Sequence, residues 1–201
     1  MPSDDQVFEI KKTVLKTPIV FAGFVGAGLV GPLSVGYIID KLKMEEIGYL
    51  RSRHLPPSTV FMQGRLRHPF RLYSNSDGTI CAIICEITLR AEGLYDVVST
   101  ILDWAEKNGS HEIVILDGVA GVILNECLVR KIQGVTLLVK ANDKGPDPLA
   151  AATLVDAVNR AYGMSIDTSG LRKEKKRIGA DFKELSDKYT EHRKIDSNMY
   201  M

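Results

Sequence analysis

Hydrophobic and polar positions along the chain follow two periods, one typical of strands and the other of helices. Short apolar runs bounded by turn residues indicate strands, and apolar residues three and four apart indicate amphipathic helices. The pattern predicts strands at 7–16, 18–24, 45–52, 69–75, 79–87, 112–118 and 135–140, and helices at 33–42, 95–107 and 148–162. The order of these elements predicts an α/β domain with a mostly parallel sheet between two helical layers. The two strands that flank the first helix are expected to pair in parallel.

Turn and capping residues mark several boundaries of these elements. Asp77-Gly78 separates two apolar runs, which predicts a β-hairpin. Asp147 precedes Pro148 at the start of the last helix, where an aspartate can accept from free backbone N–H groups and a proline suits the first turn. Gly163 is expected to end the same helix.

The chain changes character after Gly170. Residues 1–169 hold the α/β domain, whereas 170–201 is strongly charged and predicts a C-terminal helical extension. Apolar residues within it recur at spacings of four and three, as on one narrow face of a helix. This stripe consists of Ile178, Phe182, Leu185 and Tyr189, and continues to His192. Two interpretations remain open: the helix packs on its own domain, or the stripe joins copies of the protein.

Composition and charge narrow the class of partner. Of the 201 residues, 45 % are hydrophobic and 25 % are charged, and the formal net charge is +1. These values are those of an ordinary globular protein and give no electrostatic bias toward nucleic acid or a membrane surface. The first residues lack the basic start and apolar run of a signal peptide, so a cytoplasmic location is expected.

One uncharged stretch, 18–39, is long enough to span a bilayer, but its composition favours another structure. Several glycines and Pro32 interrupt it, which suits a buried strand, a tight turn and a helix.

Cys81, Cys85 and Cys127 are odd in number and include no CxxC pair, and no histidine cluster accompanies them. They therefore predict buried thiols in a reducing compartment and no metal site.

Residues 26–31 spell GxGxxG between a predicted strand and a predicted helix, which is the context of a dinucleotide site. Glycines there let a phosphate approach backbone N–H groups at a helix N-terminus. Such a site also needs an acidic residue at the end of the next strand, whereas here the acidic residues stand at its start. Structural glycines are the preferred interpretation. A nucleotide or phosphate site at Gly26, Gly28 and Gly31, with Asp117 nearby, is the alternative.

Candidate catalytic side chains are scattered. His54 and His68 lie in an arginine-rich stretch, His111 follows a turn, and Asp117 ends a strand, where α/β folds place ligand sites. No serine stands in a GxSxG motif, and no nucleophile–base pair is recognisable from spacing. The sequence therefore predicts no catalytic residue, no cofactor and no enzymatic activity. It favours solvated or packed histidines and a solvated face of arginines.

The sequence ends in Met199-Tyr200-Met201, a hydrophobic–tyrosine–any-residue pattern. A partner pocket that contains a cation can capture a terminal carboxylate, while a groove takes the ring. The buried ring would give most of the affinity, and the carboxylate would give direction. The pattern favours a protein that binds another protein with its tail.

Longer motifs resemble the archaeal proteasome-assembly-chaperone family, relatives of the eukaryotic chaperone pair that guides formation of the proteasome α-ring. The likeness covers most of the chain and is seen in GFVGAGLVGPLSVGYIIDKL and GLYDVVSTILDWAEKNGSHEIVILDGVAG. The most specific piece is PDPLAAATLVDAVNRAYGMSIDTSGLRKEKKRI, which is similar to the family's PDPxAA helix with the Ile-Asp pair and leucine-led helix that follow it. Between Gly121 and Asp143 the chain is shorter than the family usually is.

The resemblance implies a phosphorylase-like or flavodoxin-like α/β fold and assembly into homo-oligomers. In some members it also implies a C-terminal hydrophobic–tyrosine–X motif that inserts between α subunits of the 20S proteasome, near a pocket lysine. Met199, Tyr200 and Met201 match that motif position by position. The expectation is a proteasome assembly chaperone or activator-like protein whose partners are its own copies and the α-ring.

Overall fold

The computed structural model describes residues 5–62, 64–142 and 144–173. They form a seven-stranded sheet, four helices that cover its two faces, and a separate two-stranded hairpin. The strands are β1 (Gln6–Glu9), β2 (Ile19–Gly23), β3 (Glu45–Arg51), β4 (Val60–Met62), β5 (Arg65–Arg67), β6 (Phe70–Ser74), β7 (Ile80–Cys85), β8 (Glu112–Leu116) and β9 (Gln133–Leu137). The helices are α1 (Val30–Lys41), α2 (Leu94–Lys107), α3 (Ala120–Arg130) and α4 (Pro148–Tyr162).

The large sheet has the strand order β1-β3-β6-β7-β2-β8-β9. The pairs β7–β2, β2–β8 and β8–β9 are parallel, whereas β1–β3, β3–β6 and β6–β7 are antiparallel. The predicted three-layer α/β architecture is confirmed, with a mixed sheet. Strands β2 and β3 run in the same direction, but the β6–β7 hairpin lies between them. The expected parallel pairing of these two strands is therefore wrong.

Two apolar cores separate the sheet from its helical layers. Helices α1 and α4 cover one face, and α2 and α3 cover the other. Successive residues of a strand point to opposite faces, so Val20 belongs to the core that includes Leu102 of α2, whereas Phe21 belongs to the core that includes Val155 of α4. Because both faces of β2 are buried, its sequence is apolar without interruption.

Local signals placed two elements correctly. The β6–β7 hairpin turns at Gly78, which has a φ of 71°, as the Asp-Gly pair predicted. Helix α4 begins at Pro148, where the Asp147 side chain accepts from the Ala150 N–H at 3.1 Å. It ends at Gly163, which has a left-handed φ of 63°.

Three parts of the chain differ from their predictions. Strand β1 is four residues long, much shorter than the expected 7–16. Helix α3 was not predicted: it follows Val119, which has a left-handed φ of 48°, and no side chain caps it. It leaves Leu128 and Val129 exposed, at 79 % and 71 %. The β4–β5 hairpin was also not predicted and presents Phe61 and Leu66 as an exposed cross-strand pair.

The last described residues lie against the α1–α4 layer. Residues 169–173 are helical, and Leu171 is only 2 % exposed within the core that α1 and α4 share. Tyr37 of α1 donates its hydroxyl to the Asp167 carbonyl oxygen at 2.7 Å, and Arg172 forms an ion pair with Asp156 of α4 at 2.5 Å. The chain therefore leaves the described fold from this layer.

Two expectations concern the C-terminal extension. The stripe of Ile178, Phe182, Leu185 and Tyr189 lies outside the described residues, so its role as an oligomer contact stays a prediction. The division into 1–169 and 170–201 also stays a prediction. Among the helices that the structure does describe, none is long and apolar enough to cross a bilayer.

Candidate functional site

The glycine turn and Asp117 meet at one edge of the sheet. Strands β2 and β8 are parallel neighbours, paired from Ile19 with Glu112 to Ala22 with Ile115, so their carboxyl ends lie side by side. From β2 the chain continues through α1 on one face of the sheet, and from β8 it continues through α3 on the other. Open α/β sheets bind ligands at such a topological switch point. The sequence correctly placed the turn and the aspartate together.

Protein atoms fill the space beside the three glycines of the motif. A β-carbon on Gly26 would lie 3.0 Å from the Asp117 Oδ2 atom, and one on Gly28 would lie 2.9 Å from the Asn142 carbonyl oxygen. A β-carbon on Gly31 would lie within 2.6 Å of the carbonyl oxygens of Phe24 and Leu116. Close approach of other backbone atoms therefore requires glycine at positions 28 and 31, and the Asp117 side chain limits the space at position 26. These contacts support the structural interpretation of the motif.

The Asp117 carboxylate gives this edge a negative charge. Its Oδ2 atom is buried and has no hydrogen-bond partner within the part of the chain that the structure describes. Asp117, Gly118 and Val119 take successive left-handed φ values of 59°, 71° and 48°, and this turn packs on Phe24, which follows β2 directly. A carboxylate in contact with the glycine turn repels a phosphate group. The geometry disfavours a phosphate cradle, and binding of a small ligand at Gly26, Gly28, Gly31 and Asp117 stays a prediction.

The histidines lie in three different places. His54 packs against Gly93 at the start of α2, where a β-carbon would meet its ring at 1.9 Å. His68 stacks on Tyr49, with ring centroids 3.7 Å apart and planes 5° from parallel. His111 is exposed just before β8. Within the described residues, 5–62, 64–142 and 144–173, the three histidines do not form a common catalytic site.

One arginine of the basic stretch is part of the core. Arg71 is 2 % exposed and forms an ion pair with Glu86 at 2.7 Å. It also donates to the Tyr73 hydroxyl at 2.8 Å and to the His68 carbonyl oxygen at 2.6 Å. Burial raises the pKa of Tyr73, although the nearby charge of Arg71 opposes this shift. The expectation of a solvated arginine face is therefore wrong for Arg71, which holds β6 to the chain after β7.

The candidate tail site lies outside the described residues. Met199, Tyr200 and Met201 belong to 174–201, so their role as a docking motif stays a prediction. The described residues show that the chain lies against the α1–α4 layer just before the segment that contains this motif.

These features define a class of α/β protein. In this class, the protein's own atoms fill the space around the glycine turn, at the sheet edge where many α/β proteins bind nucleotides. A family model described as the PAC2 family matches residues 20–121 and 117–186. The chain belongs to the PAC2 family. The resemblance to proteasome-assembly-chaperone relatives that the sequence motifs indicated is thereby confirmed.

Solved structures and a curated relative extend this result over nearly the whole chain. A protein of unknown function from Thermoplasma acidophilum is 30 % identical, with a TM-score of 0.77 and 91 % of each chain covered. Pyrococcus furiosus PbaB, an archaeal proteasome activator, is 17 % identical, with a TM-score of 0.79 over 90 % of this chain and 98 % of PbaB. Pyrococcus furiosus PbaA, an archaeal homolog of proteasome-assembly chaperone, is 20 % identical, with a TM-score of 0.71 over 97 % and 98 % of the two chains. An uncharacterized protein of Methanocaldococcus jannaschii is 24 % identical over 217 residues, covering 90 % of each chain.

Proposed function

We propose that this chain is a proteasome-binding protein that acts as an assembly chaperone or activator, and not as an enzyme. The observation that carries the proposal is the extent of the likeness to PbaB, an archaeal proteasome activator, which includes 90 % of this chain and 98 % of PbaB. Membership of the PAC2 family and the likeness to PbaA support the same assignment. The packed glycine turn supports binding through surfaces rather than chemistry in a pocket.

The docking element of this proposal is the pattern Met199-Tyr200-Met201 at the carboxyl end of the sequence. The Tyr200 ring would enter a groove between two α subunits of the 20S particle, and the terminal carboxylate would pair with a lysine there. Ordering a peptide costs conformational entropy, so one tail alone binds weakly. Several tails on a homo-oligomer gain about 10²-fold or more through effective concentration when their spacing matches that of the pockets.

The proposal places this activity in the cytoplasm. Cys81, Cys85 and Cys127 are unpaired and buried, which is typical of proteins in a reducing compartment. Burial raises the pKa of all three thiols, so they remain protonated and unreactive at neutral pH.

Binding to purified archaeal 20S particles tests the tail mechanism. We expect the wild type to co-sediment with 20S particles, and expect deletion of 199–201 or Tyr200→Ala to abolish co-sedimentation. Tyr95→Ala is the matched control, because Tyr95 is an exposed tyrosine of α2, at 56 %, and its loss should leave binding unchanged. Thermal unfolding of each variant shows whether the fold is intact. Undiminished binding by the truncated protein would refute docking by the tail.

Two further assays separate chaperone from activator. An activator raises the rate at which finished 20S particles hydrolyse a fluorogenic peptide. An assembly chaperone instead co-purifies with α subunits in the absence of β subunits and speeds formation of the α-ring. The tail deletion should remove either effect.

A further inference from the structure

Three potential metal ligands from distant parts of the chain meet outside the glycine edge. Asp5 precedes β1, His54 lies in the loop after β3, and Asp96 lies in the first turn of α2. Their ligand atoms all lie within 4.8 Å of one another. The Nε2 atom of His54 is 3.1 Å from the Asp96 Oδ2 atom. Two ligands on a tetrahedral ion with bonds of about 2.1 Å are about 3.4 Å apart, so this pair needs to separate only slightly to share a metal.

The imidazole is held in position before any ligand binds. The His54 ring packs against Gly93, where any side chain would displace it because a β-carbon would lie 1.9 Å from the ring. The His54 backbone N–H donates to the Ser52 Oγ atom at 2.9 Å. The His54 side chain is 19 % exposed, and Asp5 is 7 % exposed. Side chains that are already fixed lose little conformational entropy when they bind a metal ion.

Arg53 contacts the ring nitrogen that faces the cluster. The Arg53 Nε atom donates to the His54 Nε2 atom at 3.2 Å. A neutral imidazole with a free lone pair is the form that binds a metal. The carboxylate of Asp96 faces the same nitrogen, so a cation placed between them would contact both. Arg53 is exposed, so its guanidinium can move away at small cost.

A cavity opens beside this cluster. It has a volume of about 510 Å³ and is lined by Arg53, His54, Arg90, Ala91 and Glu92. An ion can reach His54 through it, and the cavity leaves room for water or another ligand at the remaining coordination positions. One histidine and two carboxylates with open positions form a donor set that suits zinc.

We propose that Asp5, His54 and Asp96 form a binding site for one Zn²⁺ ion, with Arg53 covering it in the ion-free state. The site ties the segment before β1 to the loop after β3 and to the start of α2. The sequence predicted no metal site because the three ligands are separated by more than forty residues and follow no recognised spacing. This proposal is independent of the proposed proteasome binding.

Isothermal titration of the full chain with Zn²⁺ alone tests the site. We expect one ion per chain, and expect His54→Ala and Asp96→Asn each to weaken binding by more than about tenfold. His111→Ala is the matched control, since His111 is exposed and distant in sequence from the cluster, and it should bind as the wild type does. Arg53→Gln should bind several-fold tighter, because it removes a positive charge from beside the ion.

A second readout guards against variants that fail to fold. Zn²⁺ should raise the melting temperature of the wild type and of Arg53→Gln, but not that of the isosteric Asp96→Asn variant. Circular dichroism without metal establishes that each variant has the native fold. The proposal is overturned if no stoichiometric ion binds the wild type, or if folded His54→Ala and Asp96→Asn bind Zn²⁺ as tightly as the wild type.

Discussion

Gly31 of α1 lies so close to Leu116 of β8 that a β-carbon on the glycine would stand 2.6 Å from the leucine carbonyl oxygen. The Phe24 carbonyl oxygen would be even closer, at 2.5 Å. Both obstacles are backbone atoms, which cannot move away as a flexible side chain can. This contact sets the distance between α1 and the centre of the sheet.

Replacing this glycine should therefore destabilise the fold. We expect Gly31→Ala to lower the free energy of unfolding by about 2 kcal/mol or more, because α1 must shift away from β8. Gly36→Ala, in the same helix, would meet only the Ile84 Cδ1 atom at 3.5 Å and should raise it by about 0.5–1 kcal/mol. Urea denaturation of the two variants measures the difference. Equal stabilities would show that α1 is not fixed by this contact.

The proposed docking mode predicts competition by a short peptide. A synthetic peptide with the last residues of the chain, ending in Met199-Tyr200-Met201 and a free carboxylate, should displace the protein from 20S particles. We expect the peptide to be about 10²-fold weaker than the intact oligomer, because it lacks the gain from linked tails. The same peptide with a C-terminal amide should not compete, since the charge that a pocket lysine would bind is gone. Competition experiments by fluorescence anisotropy distinguish the two, and equal potency would argue against carboxylate recognition.

The buried ion pair between Arg71 and Glu86 should matter much more than an exposed one. Arg71→Met leaves the Glu86 carboxylate, at 18 % exposure, without its cation, and we expect a loss of about 3 kcal/mol in unfolding free energy. Lys11→Met breaks the exposed Lys11–Glu45 pair and should cost less than about 1 kcal/mol.

Removing both charges of the buried pair completes this comparison. The double variant Arg71→Met with Glu86→Met should recover part of the loss, because no uncompensated charge remains. Chemical denaturation gives the values for a double-mutant cycle. If Arg71→Met proved no more costly than Lys11→Met, the pair would have no structural role.

Two buried thiols predict how stability changes at alkaline pH. Burial raises the pKa of Cys81 and of Cys85 to about 12, whereas an unfolded thiol has a pKa of about 8.5. Above pH 8.5 the unfolded chain therefore loses protons that the native protein keeps. The stability contributed by these thiols is complete below that pH and is lost as the pH rises toward 12.

The corresponding measurement compares the wild type with the variant Cys81→Ala, Cys85→Ala. Between pH 9 and 11 the free energy of unfolding of the wild type should fall more steeply, by up to about 1.4 kcal/mol per pH unit for each thiol. Parallel pH profiles for the two proteins would mean that the thiols ionise as readily in the native state as in the unfolded chain.

The glycine edge yields a prediction that separates the two interpretations of its motif. Because Asp117 contacts Gly26 and protein atoms fill the space beside Gly28, we expect nucleotides and sugar phosphates to leave the melting temperature unchanged. Differential scanning fluorimetry with a panel of such compounds is the measurement. A concentration-dependent rise would instead favour the ligand interpretation.

Elements with strong local signals were predictable from the sequence. Helix α4 has an aspartate cap, a proline in its first turn and a glycine at its end, and each of these acts within a few residues. Helix α3 has none of these signals: it is preceded by Gly118, lacks a side-chain cap, and exposes Leu128 and Val129, which obscures its apolar period. The sequence therefore gave no helix prediction between the strands expected at 112–118 and 135–140.

Relationships over long distances in the sequence were not predictable. The β6–β7 hairpin inserts between β3 and β2, a choice of strand order that depends on packing of the whole sheet. The sequence did place the glycine motif and Asp117 at one edge, because carboxyl ends of parallel strands meet there. It gave no indication that Asp5, His54 and Asp96 meet, since their proximity results from three separate loops and helix ends.

The last described residues lie against the α1–α4 layer, so the two faces of the sheet differ in their surroundings. Leu171 and Arg172 fix the chain to that layer up to the last described residue, Lys173. Helix α3, on the other face of the sheet, exposes Leu128 and Val129. The point from which residues 174–201 continue and the exposed apolar residues of α3 therefore belong to opposite faces of the sheet.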